Sequence, residues 1–278
     1  MEQLAGHLRS IGRHMAADGV GTLASSIAYA ALLSIFPTLI LVIALLSVFV
    51  VPTAAQEAVI GALAPYLPAS AIDVVRGTLE AVGHTRGAAT VIASLVLLLG
   101  ATTAASSVRH ALNRVLQVSR PRSFVRWKLA EFALILVGGI FVSLSVMTST
   151  VLTLLAVVRP LEAVGALLRR SGLAELAATV GPWLLSAAAF LIVYRFLPNE
   201  RVRWRSLLAG TAVAVVLFEL TKGVFFWYLR TLTGYSLVYG PLTGVVVLLI
   251  WVYMAAMILL VGAEVIAEME RARTVDHA

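Results

Sequence analysis

The chain has 278 residues, of which 60% are hydrophobic and only 13% are charged. A soluble domain would carry about twice that share of charged residues, so the composition predicts a polytopic membrane protein that forms a single integral membrane domain over residues 1–278. The absence of cysteine excludes disulfides and cysteine-based metal sites.

The N-terminal tail, residues 1–20, carries charges where a cleavable signal would have its apolar core. Its apolar residues recur at helical spacing, with Arg9, Arg13 and His14 among them. This pattern predicts a short interfacial helix that lies on the membrane surface. A solvated and partly ordered tail would explain the same residues equally well, so both interpretations stay open.

Six segments are long and apolar enough to cross a membrane, which takes about 20 residues of helix. No strand alternation runs over any length, and only helices satisfy their own backbone hydrogen bonds in hydrocarbon. The predicted fold class is therefore all-α, with six transmembrane helices. The approximate ranges of these spans are 25–51, 88–108, 129–157, 177–197, 207–229 and 241–267.

Lysine and arginine residues outside the spans are divided unequally between the two sides of the membrane. Fourteen belong to the two tails and to the second-to-third and fourth-to-fifth connections, whereas six belong to the other connections. Under the positive-inside rule, both termini are predicted to be cytoplasmic. The net charge of +7 then mainly reflects topology, with membrane lipids as expected partners. Nucleic acid is not an expected partner, because no aromatic residues are interleaved to form a stacking platform.

The outer connections at 52–87 and 158–176 are long. In the first, Ile72, Val75 and Leu79 recur at three- and four-residue steps, which predicts amphipathic outer-surface helices. Such helices would lie on the membrane surface or pack over the bundle and cap a cavity. Simple connectors are the alternative.

The fifth span contains an acid and a base three residues apart, Glu219 and Lys222. Charged groups at this depth are costly and often functional, so we interpret them as lining a polar cavity that contacts a headgroup or a coupling ion. A buried ion pair that locks the bundle is the alternative. Ser26 and Tyr29 share a face of the first span and are further cavity candidates, although hydroxyl groups also commonly join membrane helices.

Three more charges, Glu131, Arg195 and Glu264, lie near the predicted cytoplasmic ends of the third, fourth and sixth spans. Arg195 could bridge either acid, and we favour a structural charge cluster because side chains so near the interface can reach water. Gly240 and Gly244 form a small-xxx-small step at the start of the sixth span. It permits close helix contact either within the bundle or between subunits of a homo-oligomer.

Three blocks of the chain resemble the YihY/BrkB family, also called the virulence-factor BrkB or envelope-integrity family. They are SSIAYAALLSIFPTLILV in the first span, RFLPNERVRWRSLLAG between the fourth and fifth, and YSLVYGPLTGVVVLLIWVYMAAMILLVGAEV in the last. Pro241 departs from the small residue that the family usually has there, and proline is tolerated in a first helical turn. The resemblance implies six helices with cytoplasmic ends in a bacterial inner membrane. It also implies a role in envelope integrity and suspected export of lipids or lipid-linked molecules.

Members of that family have also been labelled ribonuclease BN, and the residues argue against such chemistry. None of the five histidines lies in a predicted span, no two have ligand spacing, and no hydrolase motif occurs. We therefore expect no enzymatic activity, no catalytic residues, no metal and no cofactor. The expected function is transport of a lipid-like amphiphile, and a non-transporting envelope scaffold with an unknown protein partner is the alternative.

Overall fold

The structure is a computed structural model, and it describes residues 10, 12–46, 52–64, 67–83, 103–118, 173–200, 202–231 and 242–276. Every regular element among these residues is helical, as the all-α prediction requires. A short helical segment, residues 12–17, precedes the seven main helices. These are α1 (Val20–Leu46), α2 (Pro52–Leu63), α3 (Ala69–Gly83), α4 (103–115), α5 (Leu173–Phe196), α6 (Trp204–Thr231) and α7 (Thr243–Asp276).

Four of the six predicted spans coincide with helices, the first with α1, the fourth with α5, the fifth with α6 and the sixth with α7. The end of the second predicted span is contained in α4, which continues past it to residue 115. The rest of the second span and the whole third span lie outside the described residues. A count of six spans therefore stays a prediction.

Two of the described helices contain segments long and apolar enough to cross a membrane, Trp204–Leu229 in α6 and Thr243–Ala272 in α7. Val20–Ser34 in α1 and Trp183–Phe196 in α5 are shorter apolar segments. A helix rises about 1.5 Å per residue, so α6 and α7 each exceed the roughly 30 Å of a bilayer's hydrocarbon core.

The longest helix, α7, is the centre of the packing. It contacts α6, α1 and α3, and α5 packs against α6. Apolar residues surround α7 on all faces over most of its length, which is the pattern of a helix enclosed by protein and lipid rather than by water.

The main apolar cluster joins one end of α7 to the start of α1, the end of α4, the end of α5 and the start of α6. Leu260 and Ile266 of α7 are fully buried there against Val20, Leu112 and Leu207. We call this the inner end, since the charge distribution predicts that it faces the cytoplasm. The opposite, outer end holds a second cluster around Trp251, which includes Leu67 and Ala71 of the α2–α3 region.

The outer helices α2 and α3 confirm the helices predicted in 52–87. They contact each other and α1, and α3 also packs against α7. At that contact the backbone of Ser70 lies so close to Gly244 that a Cβ on Gly244 would collide with it. Gly244 of the small-xxx-small step therefore serves a contact within one chain, whereas Gly240 lies outside the described residues.

Candidate functional site

Glu219 and Lys222 form an ion pair inside α6. Lys222 Nζ lies 2.5 Å from Glu219 Oε2. The side chain of Lys222 is only 14% exposed, and that of Glu219 only 7%. The three-residue spacing puts the two groups on one side of the helix, as an i,i+3 pair requires. The structure therefore brings together the two charges that the sequence singled out.

A neighbouring helix supplies a third polar group. Ser186 of α5, itself buried, donates its hydroxyl to Glu219 Oε1 at 3.0 Å. The carboxylate thus accepts from the ammonium at one oxygen and from a hydroxyl at the other. We call Glu219, Lys222 and Ser186 the polar triad. It joins α5 to α6 by a charge-assisted hydrogen bond, which is stronger than a bond between neutral groups.

An aromatic ring of the same helix lies near the ammonium group of Lys222. The ring of Phe218 lies 5.9 Å from Lys222 Nζ and meets Phe190 of α5 edge to face, with centroids 5.7 Å apart. Phe218 also contacts Trp251 of α7 at 5.6 Å between centroids. A cation over an aromatic face is attracted by its negative charge density, so Phe218 adds to the stabilisation of the ammonium.

The depth of the triad follows from two tryptophans that are exposed near the ends of α6. Trp204 and Trp227 are 56% and 66% exposed, and they are separated by about 35 Å of helix. Tryptophan favours the membrane–water interfaces, so these residues indicate where the bilayer begins and ends on α6. Glu219 then lies about 5 Å beyond the midpoint between the two tryptophans, and Lys222 lies about 10 Å beyond that midpoint towards the outer end.

Ser26 and Tyr29 of α1 are not part of the triad in the described structure. Tyr29 is 65% exposed, and the exposed Ser26 hydroxyl donates to Thr22 O of its own helix at 3.0 Å. Neither makes a hydrogen bond or an ion pair with Glu219 or Lys222 among the described residues. The face that these two residues share is thus separate from the buried pair.

The predicted charge cluster is divided between two places. Arg195 donates to Val202 O at 3.0 Å and stacks over Trp204 at 4.8 Å from its ring centroid. Glu264 is fully buried in α7, and its cationic neighbour is Arg271, whose Nη1 lies 3.8 Å from Oε2. The structure therefore pairs Glu264 with a residue of its own helix and not with Arg195. Glu131 lies outside the described residues.

Arg271 contacts several polar groups at the inner end and connects the N-terminal segment to α7. Its Nη1 lies 3.6 Å from Glu268 Oε2 and 3.1 Å from His14 Nδ1. Ser10 donates to Glu268 Oε1 at 2.9 Å. The N-terminal segment is therefore docked on protein at these residues, by polar contacts that neither interpretation of the tail had predicted.

A second ion pair lies at the outer end, between the two short helices. Arg76 of α3 binds Glu57 of α2 through both guanidinium nitrogens, at 2.5 and 3.3 Å. The hydrogen bond from Arg76 holds the pKa of Glu57 below its ordinary value of 4.5. Both side chains are exposed, so the pair orients the two helices more than it stabilises the fold.

Sequence reasoning missed several of these groups, although the signals were present for some. Ser186 is a lone hydroxyl in an apolar run of α5, and nothing in its own helix indicates an acidic partner. Glu264, Glu268 and Arg271 follow i, i+4 and i+7 spacing, which places them on one face of α7 and could have been read from the sequence. Across the described ranges, no group of three or more histidine, aspartate or glutamate side chains could hold a metal ion.

Comparison with known proteins decides the family. The sequence model of the family described as "Virulence factor BrkB" matches residues 11–278. The chain belongs to the BrkB family. This BrkB-family chain is 30% identical over 269 residues to a "UPF0761 membrane protein" of Photobacterium profundum, an alignment that covers 97% of this chain and 82% of the relative.

Other relatives of this BrkB-family chain carry the same description. A "UPF0761 membrane protein" of Vibrio campbellii is 32% identical over 256 residues, with 92% of this chain and 79% of the relative covered. A protein with the same description from Vibrio cholerae serotype O1 is 31% identical over 251 residues, with 90% of this chain and 82% of the relative covered. No solved structure matches the chain. The family resemblance and the membrane class are thereby confirmed.

Proposed function

We propose that this BrkB-family chain is a multi-pass protein of the bacterial inner membrane that moves a lipid-like amphiphile across or out of that membrane. The observation that carries the proposal is the Glu219–Lys222 pair, which is largely buried near the middle of a helix long enough to span the bilayer. Ionisable groups at such depth are costly, and they commonly mark substrate or ion pathways.

The chemistry of the triad suits a charged headgroup. Lys222 offers an ammonium with three donors, and Glu219 offers a carboxylate that already accepts from a lysine and a serine. An anionic headgroup can take the ammonium while Ser186 still donates to Glu219, so Lys222 keeps an anionic partner and Glu219 keeps one hydrogen bond. The lipid class itself, and the link to envelope integrity, rest on the family resemblance. The proposal assigns no hydrolytic step and no cofactor.

A non-transporting envelope scaffold is the second candidate, and one observation favours it. Both carboxylate oxygens of Glu219 have partners inside the protein, one from α5 and one from α6. A fully satisfied pair can hold two helices together without any pathway. The two candidates differ in whether neutralising the pair changes a movement of lipid or only the stability of the bundle.

The test is a lipid-movement assay in liposomes that contain the purified full chain. Lipids with a fluorescent headgroup label are placed in both leaflets, and the rate at which inner-leaflet label becomes accessible to an external quencher is followed. Wild type is compared with the double variant Glu219→Gln/Lys222→Met. The matched control is Glu57→Gln/Arg76→Met, which neutralises an ion pair of the same charge outside the predicted spans.

Transport through the triad predicts fast exchange in wild type and in the Glu57/Arg76 control, and exchange at the empty-liposome rate in the triad variant. Fast exchange that survives the triad variant would keep lipid movement but remove the triad from its path. Exchange at the empty-liposome rate in wild type would contradict passive lipid movement and favour the scaffold.

A further inference from the structure

The buried carboxyl group of Glu264 has few partners for its oxygens. Its side chain is 0% exposed, and neither Oε1 nor Oε2 accepts a hydrogen bond in the described part of the chain. The guanidinium of Arg271 is 3.8 Å away, beyond hydrogen-bond distance. A buried carboxylate normally has partners at both oxygens, because desolvation removes the water that would otherwise bind it.

A second acid adds to this imbalance. The carboxyl group of Asp18, at the junction between the N-terminal segment and α1, is the neighbour of Glu264 and interacts with it directly. Its Oδ2 is also buried without a hydrogen-bond partner among the described residues. Among the described residues, these three buried carboxylate oxygens therefore have no donor other than a proton that the two acids share.

The charges around Glu264 do not cancel. The groups that act on it are the carboxyl groups of Asp18 and Glu268, and the guanidinium of Arg271. Arg271 also contacts Glu268, His14 and the carbonyl oxygen of Val115. One guanidinium is therefore shared by two of three acids, which leaves negative charge in a largely apolar surrounding.

We propose that Asp18 and Glu264 form a binding site for a small monovalent cation, Na⁺, for which protons compete. Oxygen-only coordination by carboxylates suits a hard cation. A single proton joins only one oxygen of each acid, whereas a cation can be shared by several carboxylate oxygens. A divalent ion fits less well, because Arg271 already supplies positive charge beside Glu264.

The site would connect the N-terminal segment to the central helix. Asp18 directly follows the helical segment 12–17 and precedes α1, and it is partly exposed. Occupancy would favour docking of this segment on α7, in addition to the contacts of Ser10 and His14 with Glu268 and Arg271. The inference does not depend on the proposed transport function, because it concerns binding alone.

Thermal unfolding of the purified full chain in detergent, monitored by tryptophan fluorescence, tests the proposal. Unfolding is measured in NaCl and in choline chloride at equal ionic strength, at about pH 8 and about pH 5, where carboxylates are increasingly protonated. A ligand that binds only the folded state raises the Tm by mass action. We expect Na⁺ to raise the Tm by several degrees at the higher pH, and the difference to shrink at the lower pH.

Two variants locate the effect. Glu264→Gln removes one negative charge and supplies an amide donor towards Asp18. The Tm of this variant in choline chloride should therefore approach the wild-type Tm in NaCl, and it should no longer depend on Na⁺. Asp18→Asn should also lose the Na⁺ dependence, and it serves if Glu264→Gln does not fold. The matched control is Asp73→Asn, an exposed acid on α3, which should respond to Na⁺ as wild type does.

Binding of radioactive Na⁺ to the wild-type protein provides a readout independent of stability, and Glu264→Gln should lose that binding. Equal Tm values in Na⁺ and choline at both pH values would overturn the proposal. A Tm that changes with pH but not with Na⁺ would overturn the assignment to Na⁺ and leave a proton as the ligand. A Na⁺ response that both variants keep would overturn the location.

Discussion

Gly210 of α6 and Gly262 of α7 lie back to back where the two helices cross. A Cβ on Gly210 would meet the carbonyl oxygen of Gly262 at 2.5 Å, and a Cβ on Gly262 would lie 2.9 Å from the carbonyl oxygen of Gly210. Tyr194 of α5 closes the same joint, since its buried hydroxyl donates to Leu259 O at 2.7 Å. This crossing sets how α5, α6 and α7 are held at the inner end, as small residues commonly do in membrane bundles.

The crossing predicts a large difference between two similar substitutions in α6. Gly210→Ala should lower the free energy of unfolding by about 1–3 kcal/mol, because the added methyl group overpacks a backbone contact. Gly223→Ala is the control, since a Cβ there meets nothing within 4 Å. Alanine should stabilise the helix at Gly223 by about 0.5–1 kcal/mol. Unfolding of both variants in detergent measures the difference, and equal destabilisation would contradict the close crossing.

The triad predicts strong coupling between Glu219 and Lys222 in a double-mutant cycle. Each single variant, Glu219→Gln or Lys222→Met, leaves one buried charge without its partner and should lower the free energy of unfolding by about 3–5 kcal/mol. The double variant removes both charges and should recover most of that loss. Unfolding in detergent by denaturant measures all four proteins.

Ser186→Ala belongs beside that cycle as a smaller change to the same group. It removes one hydrogen bond to a charged acceptor, so the free energy of unfolding should fall by about 1.5–3 kcal/mol.

In the double-mutant cycle, additive losses of unfolding free energy in the Glu219/Lys222 double variant would show that the two charges do not stabilise each other. That result would contradict the 2.5 Å contact between them.

The predicted topology can be tested directly, because the chain has no cysteine and each introduced cysteine is the sole reactive thiol. Ala54→Cys on α2 should react with a membrane-impermeant maleimide in intact spheroplasts. Glu200→Cys, between α5 and α6, should react only after the membrane is opened. Both positions are exposed in the structure. Wild type should show no labelling, and a reversed pattern would overturn the cytoplasmic placement of the inner end.

The outer ion pair predicts acid sensitivity of the α2–α3 contact. Because Arg76 lowers the pKa of Glu57, the contribution of the pair is present above the ordinary value of 4.5 and is lost as pH falls through the lowered pKa. Spin labels at Thr53→Cys and Gly77→Cys should give a narrow distance distribution at neutral pH and a broader one in acid. The same labels on an Arg76→Gln background should give the broad distribution throughout. A distribution independent of pH in the unmodified pair would contradict a role in orienting the helices.

Hydrophobic runs and their lengths were enough to predict α1, α5, α6 and α7, because a helix in lipid must be apolar for about 20 residues and little else decides its existence. The spacing of Ile72, Val75 and Leu79 likewise predicted α3. The Glu219–Lys222 contact was also predictable from the sequence, because it depends only on the local geometry of one helix.

Contacts between helices could not be read in this way. From the sequence, Glu131 and Glu264 were the expected partners of Arg195. In the folded chain, Arg195 instead contacts Val202 and Trp204. Glu264 interacts with Asp18 and Arg271. Likewise, Ser186 becomes a partner of Glu219 only because α5 lies against α6. Composition and periodicity specify how each helix relates to the membrane, whereas the rotation and crossing of neighbouring helices specify which polar groups meet, and those depend on the shape of every side chain in between.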